Sequence, residues 1–231
     1  MQARLLAHCR CWIFPGATSW MLARRVHNGV NQALKVLQDI SVSPAQGSAY
    51  DNAIKIYNLT YSYEHPAFVA LPQSIEDVRR CLTVANSTRT PVAVKSGGHC
   101  FAGYSTIDSK GFVISLQKMR KVTLDLQRET VTVQSGANWG DVYSSVDNSG
   151  YVVVGGCVPA VGIGGYILGG GYSMLSRASG GLACDSAVSY TMVTADGKDV
   201  VTANEMVNQD LFWALRGGGG GNFGVLVDVT L

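Results

Sequence analysis

Hydrophobic and polar positions alternate differently along this chain, and the change of period marks its elements. Ile75, Val78, Leu82 and Ala85 recur at helical spacing. Ser74 stands before them as an N-cap, with Glu76 and Asp77 in the first turn, so a helix is predicted there. Short apolar runs predict extended segments at Phe68 to Leu71, 91–95 (PVAVK), 112–116 (FVISL), 121–126 (KVTLDL), 130–135 (TVTVQS) and 151–155 (YVVVG). Residues 138–150 read as a short helix ending at Gly150, and 210–217 as another. The run 188–203 reads as a hairpin turning at Asp196-Gly197, and the last strand follows the glycines after 218. Helices and strands mix with several local strand pairs, which predicts an α+β fold.

The N-terminal part follows another pattern. Residues 41–50 (SVSPAQGSAY) read as a small-residue linker, with ordered structure expected from about Ala49. The division predicted is a leader or disordered segment over 1–48, an entry segment over 49–64, and one domain over 65–231. Up to Lys35 the leader holds five basic residues (Arg4, Arg10, Arg24, Arg25, Lys35) and no acid before Asp39. That suits a mitochondrial-type organellar presequence, while Arg10 interrupts a secretory apolar run; a secreted or a cytoplasmic location stays open. Asn58-Leu-Thr60 and Asn86-Ser-Thr88 form glycosylation sequons, a pattern that also arises by chance.

Composition adjusts this picture in three places. Hydrophobic residues reach 47% and charged ones only 15%, which implies deep burial or a face made to meet another surface. The 18 basic residues are balanced by 16 acidic ones without a basic run, so nothing points to nucleic acid. The six cysteines form no C-x-x-C pair, so no metal site is expected, and no apolar run is long enough for a transmembrane segment.

The glycines carry the chemistry. Most of the 27 lie after residue 96, and two stretches stand out: 95-KSGGHCFAGYS-105 and 162-GIGGYILGGGYS-173. A strand ending in Lys95-Ser96-Gly97-Gly98-His99 offers consecutive backbone N–H groups that can close on a pyrophosphate, because two positions lack side chains. Ser96, Tyr104 and Ser105 can add hydroxyl donors. The stretch is neither a Walker A loop nor a Rossmann fingerprint. Gly162, Gly164 and Gly165 alone would equally suit a tight turn; the pairing with the first stretch makes them specific.

Together with 181-GLACDSAVSYTMVTADG-197 and 210-DLFWALRGGGGGNFGV-225, these stretches resemble the FAD-binding domain of the vanillyl-alcohol oxidase/PCMH flavoprotein superfamily. The similarity is greatest to berberine-bridge-enzyme-like, oxygen-dependent oxidoreductases. The resemblance implies a two-subdomain PCMH-type domain, 65–120 and 121–231, with the family's substrate domain absent. It implies FAD held by Ser96, Gly97, Gly98, His99, Phe101, Gly103, Tyr104, Ser105, Gly162, Gly164, Gly165, Tyr166, Gly169, Gly170, Gly171, Gly181 and Leu182. It further implies a covalent bond from His99 to the flavin, which a neutral imidazole can form. Many relatives carry a second link through a Cys directly before the motif's Pro. Here Val158 holds that place and Cys157 lies one residue earlier, so one link is expected and Cys157 is the less favoured second. Val161 matches a position associated in the family with access of dioxygen. The implied activity is oxidation of a small-molecule substrate with dioxygen as acceptor, with no catalytic acid or base identified in the chain. The alternative is a truncated FAD- or nucleotide-binding module without turnover.

Overall fold

The computed structural model describes residues 19–231. Two sheets meet between residues 115 and 122. The first has strand order β1-β2-β4-β3, from β1 (Ser41–Val42), β2 (Val69–Ala70), β3 (Val92–Lys95) and β4 (Phe112–Ser115). Its two parallel pairings run β2∥β4∥β3, and β1 closes the edge antiparallel. The parallel strands need a crossover, and α3 (Ile75–Thr88) supplies the one between β2 and β3. Ser74 caps α3, its hydroxyl accepting from the Asp77 amide at 3.1 Å. The helix stops at Arg89, whose φ of 55° is left-handed.

The second sheet is antiparallel, in the order β5-β6-β9-β7-β8, from β5 (Val122–Asp125), β6 (Thr130–Gln134), β7 (Ser189–Val193), β8 (Val200–Asn204) and β9 (Val225–Thr230). Trp139, Val142, Ile163, Ile167, Tyr190 and Met192 fill the core on one of its faces. Val193, Val225 and Val227 instead join Phe68, Phe112, Ile114 and the buried side of α3, so one core spans both sheets. Polar ties cross there too. Arg79 donates to the carbonyls of Gly197 (3.2 Å) and Lys198 (2.7 Å) in the β7–β8 loop. Asn86 donates to Ala195 O at 2.8 Å.

Four expectations are corrected. The segment 1–48, expected as a leader or disordered segment, is ordered over the residues described: α1 (Ser19–Leu37) buries Val30, Ala33 and Leu37 against the core beside α3. Those three positions recur at 3- and 4-residue spacing and so share one face of the helix. Residues 1–18 lie outside the described part. The linker 41–50 holds β1 and the start of α2 (Ser48–Ile54), so ordered structure precedes Ala49. Residues 151–155 form no strand; Tyr151 and Val152 are exposed and only Val154 among the valines is buried, because no strand edge is paired with them. The helix expected to reach Gly150 is α4 (Trp139–Val146), which ends four residues earlier. Among the described residues no helix is long and apolar enough to cross a membrane.

Candidate functional site

β3 runs out at Lys95 and hands the chain to the first glycine stretch. A helix, α5 (Ile163–Leu168), opens the second, with Ile163 and Ile167 fully buried beneath it. The two stretches cross in contact. A Cβ on Gly97 would fall 2.4 Å from the Gly162 nitrogen, and one on Gly162 2.3 Å from the Gly97 nitrogen. Ser96 locks the crossing. Its hydroxyl donates to Ser135 O at 2.5 Å and accepts from the Gly164 amide at 3.3 Å. Gly164 itself packs on the side chains of Ser135 and Ser96.

The remaining expected residues divide by role. Gly98 and Gly103 sit at φ of 73° and 77°, where an L side chain is strained. Ser105 is buried at 6% exposure, and its Oγ has no partner among the described residues. Phe101 and Tyr104 project into solvent at 73% and 79% exposure. A Cβ on Gly165 would meet open space, and its backbone has no positive φ. Gly169 caps α5, and Gly170 and Gly171 turn the chain at positive φ. The carbonyls of Gly170 and Gly171 accept from the Cys184 and Ala183 amides, both at 2.9 Å. That docks Gly181 and Leu182 beside the second stretch, Leu182 against Gly170. No hydrogen bond joins Gly181 or Leu182 to the first stretch among the described residues.

His99 has its ring stacked on Tyr57, centroids 4.7 Å apart and 18° from parallel. Burial holds the imidazole below its ordinary value of 6.5, so it is neutral at pH 7. Lys95 is buried, and its Nζ donates to the carbonyls of Ala53 and Lys55, the latter at 3.2 Å. Burial pushes Lys95 down to about 8. Tyr166 packs edge-on against Trp139, and its hydroxyl donates to Tyr172 O. Burial, with Tyr143 and Cys157 adding to it, pushes that phenol up to about 12. Tyr166 therefore stays protonated at neutral pH and offers no base.

Cys157 is exposed and free. It lines an open groove of about 370 Å³ with Tyr143, Tyr151, Val152, Gly156 and Met174. Ser173, the last residue of the second stretch, lines it too, whereas no residue of 95–105 does. Trp139 lies behind it, with Gly155 and Gly156 folded onto the indole so closely that a Cβ on Gly155 would come within 2.2 Å of the ring.

The site fits a flavin dinucleotide. The amides of Gly97, Gly98 and His99 donate to no protein group among the described residues, so consecutive donors are free for an anion. An orphaned buried hydroxyl at Ser105 and the clear space at Gly165 add to this fit. Sequence reasoning missed Ser135, Trp139 and Tyr57. They lie outside both glycine stretches, and only the second stretch's dependence on a floor could have hinted at the first two.

Fold and site together define a flavin-binding domain, and comparison with known proteins agrees. Residues 66–203 match the family described as "FAD binding domain". The chain is 33% identical over 204 residues to glucooligosaccharide oxidase of Sarocladium strictum, covering 88% of this chain and 40% of that protein. It is 36% identical over 166 residues to berberine bridge enzyme-like C-1 of Nicotiana tabacum, covering 70% and 29%. It superimposes with a TM-score of 0.78, at 31% identity, on the structure of glucooligosaccharide oxidase from Acremonium strictum with its 6-S-cysteinyl, 8α-N1-histidyl FAD, covering 87% of this chain and 42% of that one. The chain belongs to the berberine-bridge-enzyme-like FAD-linked oxidoreductases of the PCMH/vanillyl-alcohol oxidase superfamily. It spans about 40% of the length of the glucooligosaccharide oxidase that it matches.

Proposed function

We propose that this chain carries FAD on one covalent bond to His99, as the flavin-bearing part of an oxidoreductase that oxidises a small organic substrate with dioxygen as acceptor. The observation that carries the reading is the crossing at Gly97 and Gly162. It unites two distant glycine stretches and sets His99 two residues from the junction. When bound, FAD supplies the two-electron chemistry.

The protein's part is binding and positioning. The amides of Gly97, Gly98 and His99 hold the pyrophosphate, and Ser105 Oγ gains a partner it otherwise lacks. Gly165 leaves the cofactor room, since any side chain there would project into the open space beside α5. The buried Trp139 indole and Tyr166 ring keep water from the floor. His99 stays neutral at pH 7, which leaves an imidazole lone pair for bonding. Val158 holds the place of the second link and Cys157 stands one residue earlier, which supports a single link. Alcohols, sugars and secondary metabolites are the substrate classes, in keeping with the names of the relatives. Val161, half-buried beside the crossing, is the residue proposed to govern access of dioxygen.

Acid precipitation tests the bond. The wild-type precipitate should stay yellow, and His99→Ala should release its flavin to the supernatant. Peptide mass spectrometry should find the adduct on His99 alone. A colourless precipitate from yellow native protein would refute the covalent reading, and an adduct on Cys157 the single link.

A further inference from the structure

The segment before β2 is tied to the first glycine stretch at several points. The Tyr57 amide donates to Gly98 O at 2.9 Å. Asn58 Nδ2 donates to Phe101 O at 2.8 Å. The Tyr61 ring fills the space that a Cβ on Gly103 would need. Lys95 reaches back to hold the carbonyls of Ala53 and Lys55. Between these ties lies a row of three rings. Tyr57 stacks on His99, and Phe101 meets Tyr57 edge-on at 5.9 Å and 64°.

Core packing does not explain Tyr57. Its ring is 60% exposed, and its hydroxyl makes no hydrogen bond to a described residue. Its ring contacts are with His99 on one face and Phe101 beside it. The stretch it touches has no helix or strand between Lys95 and Phe112 and contains glycines at 97, 98 and 103. An imidazole on such a stretch needs an external support to hold one orientation, because each free torsion dilutes the productive geometry.

We propose that Tyr57 is a positioning residue for flavin attachment: its ring holds the His99 imidazole in the plane from which a ring nitrogen meets the cofactor. The inference rests on the His99 reading above. Stacking covers a face of the imidazole, whereas the nitrogen lone pair lies in the ring plane, so the support leaves the nucleophile free. The step it serves makes the bond between a His99 nitrogen and the 8α carbon. It breaks the imidazole N–H and one methyl C–H. The electron pair passes to the isoalloxazine, and dioxygen removes it with the two protons as hydrogen peroxide.

The test uses the full 231-residue chain produced free of FAD in a riboflavin-starved host, then mixed with saturating FAD in air. Total bound flavin and acid-stable flavin are followed separately in time. Tyr57→Leu should bind FAD normally but form acid-stable flavin roughly 10-fold more slowly. Tyr57→Phe and Tyr57→Trp, which keep a ring, should stay within about twofold of wild type. In the FAD-free protein, the His99 ring-proton resonances should move in Tyr57→Leu and hold in Tyr57→Phe. An unchanged covalent rate in Tyr57→Leu, unmoved His99 resonances, or a Tyr57→Phe as slow as Tyr57→Leu would each overturn the proposal. So would loss of all FAD binding in Tyr57→Leu, which would mark Tyr57 as a structural support. A wild type without acid-stable flavin would refute the His99 reading and, with it, this one; normal attachment in wild type and in Tyr57→Leu would refute this one alone.

Discussion

The two glycine stretches are alike in composition and opposite in construction. The first, 96–105, has no secondary structure of its own. Gly98 and Gly103 serve it through positive φ, and it is held from outside by Tyr57, Asn58, Tyr61 and the reach of Lys95. The second opens as helix α5, held from inside by Ile163 and Ile167 in the core and by Gly164 against Ser135. Glycine therefore does three jobs within one site. At Gly97 and Gly162 it permits backbone contact, at Gly98 it permits a turn, and at Gly165 it keeps space clear. The lesson is that a glycine-rich motif does not reveal which job each glycine holds, and the consequences of mutation differ accordingly.

The largest effect is expected where the stretches touch. In Gly162→Val the new carbon would meet backbone atoms of Gly97, which cannot swing aside as a side chain can. Loss of about 3 kcal/mol or more is expected, read from urea unfolding. A variant as stable as wild type would mean that the stretches separate easily.

A smaller effect divides Gly98 from Gly165. Gly98→Ala forces an L residue to a φ of 73° and should cost about 1–2 kcal/mol even without FAD. Gly165→Val should leave stability within about 0.5 kcal/mol of wild type yet abolish FAD retention. Normal flavin content in purified Gly165→Val would show that the open space there is not the cofactor's. Equal destabilisation of the two variants would erase the distinction drawn between them.

The smallest effect is the pH dependence contributed by His99. Its folded pKa lies below 6.5, so between the two values the unfolded chain holds the proton more often. The stability that His99 contributes is therefore lowest in acid, rises with pH, and levels off above about pH 6.5. Paired unfolding curves for wild type and His99→Asn, both without FAD, should show their difference moving in favour of wild type from about pH 5 to pH 7. Movement in the opposite direction would mean that the folded chain favours the imidazolium.

What the chain order alone determined was local. The cap at Ser74, the apolar stripe of α3, the hairpin around Gly197, the strand from Val225 and the two glycine motifs are written within a few residues each, because backbone preference and side-chain period act at that range. Tertiary structure decided the rest. Nothing near Gly97 announces that Gly162 will press against it, and nothing near Tyr57 announces His99. The valines of 151–155 have a strand's composition but no partner edge, and α1 reveals its buried stripe only once α3 lies beside it. Those outcomes depend on contacts between residues far apart in the chain. Such contacts form only when a shared core, here the one joining Val193, Val225 and Val227 to Phe112 and Ile114, brings both sheets together.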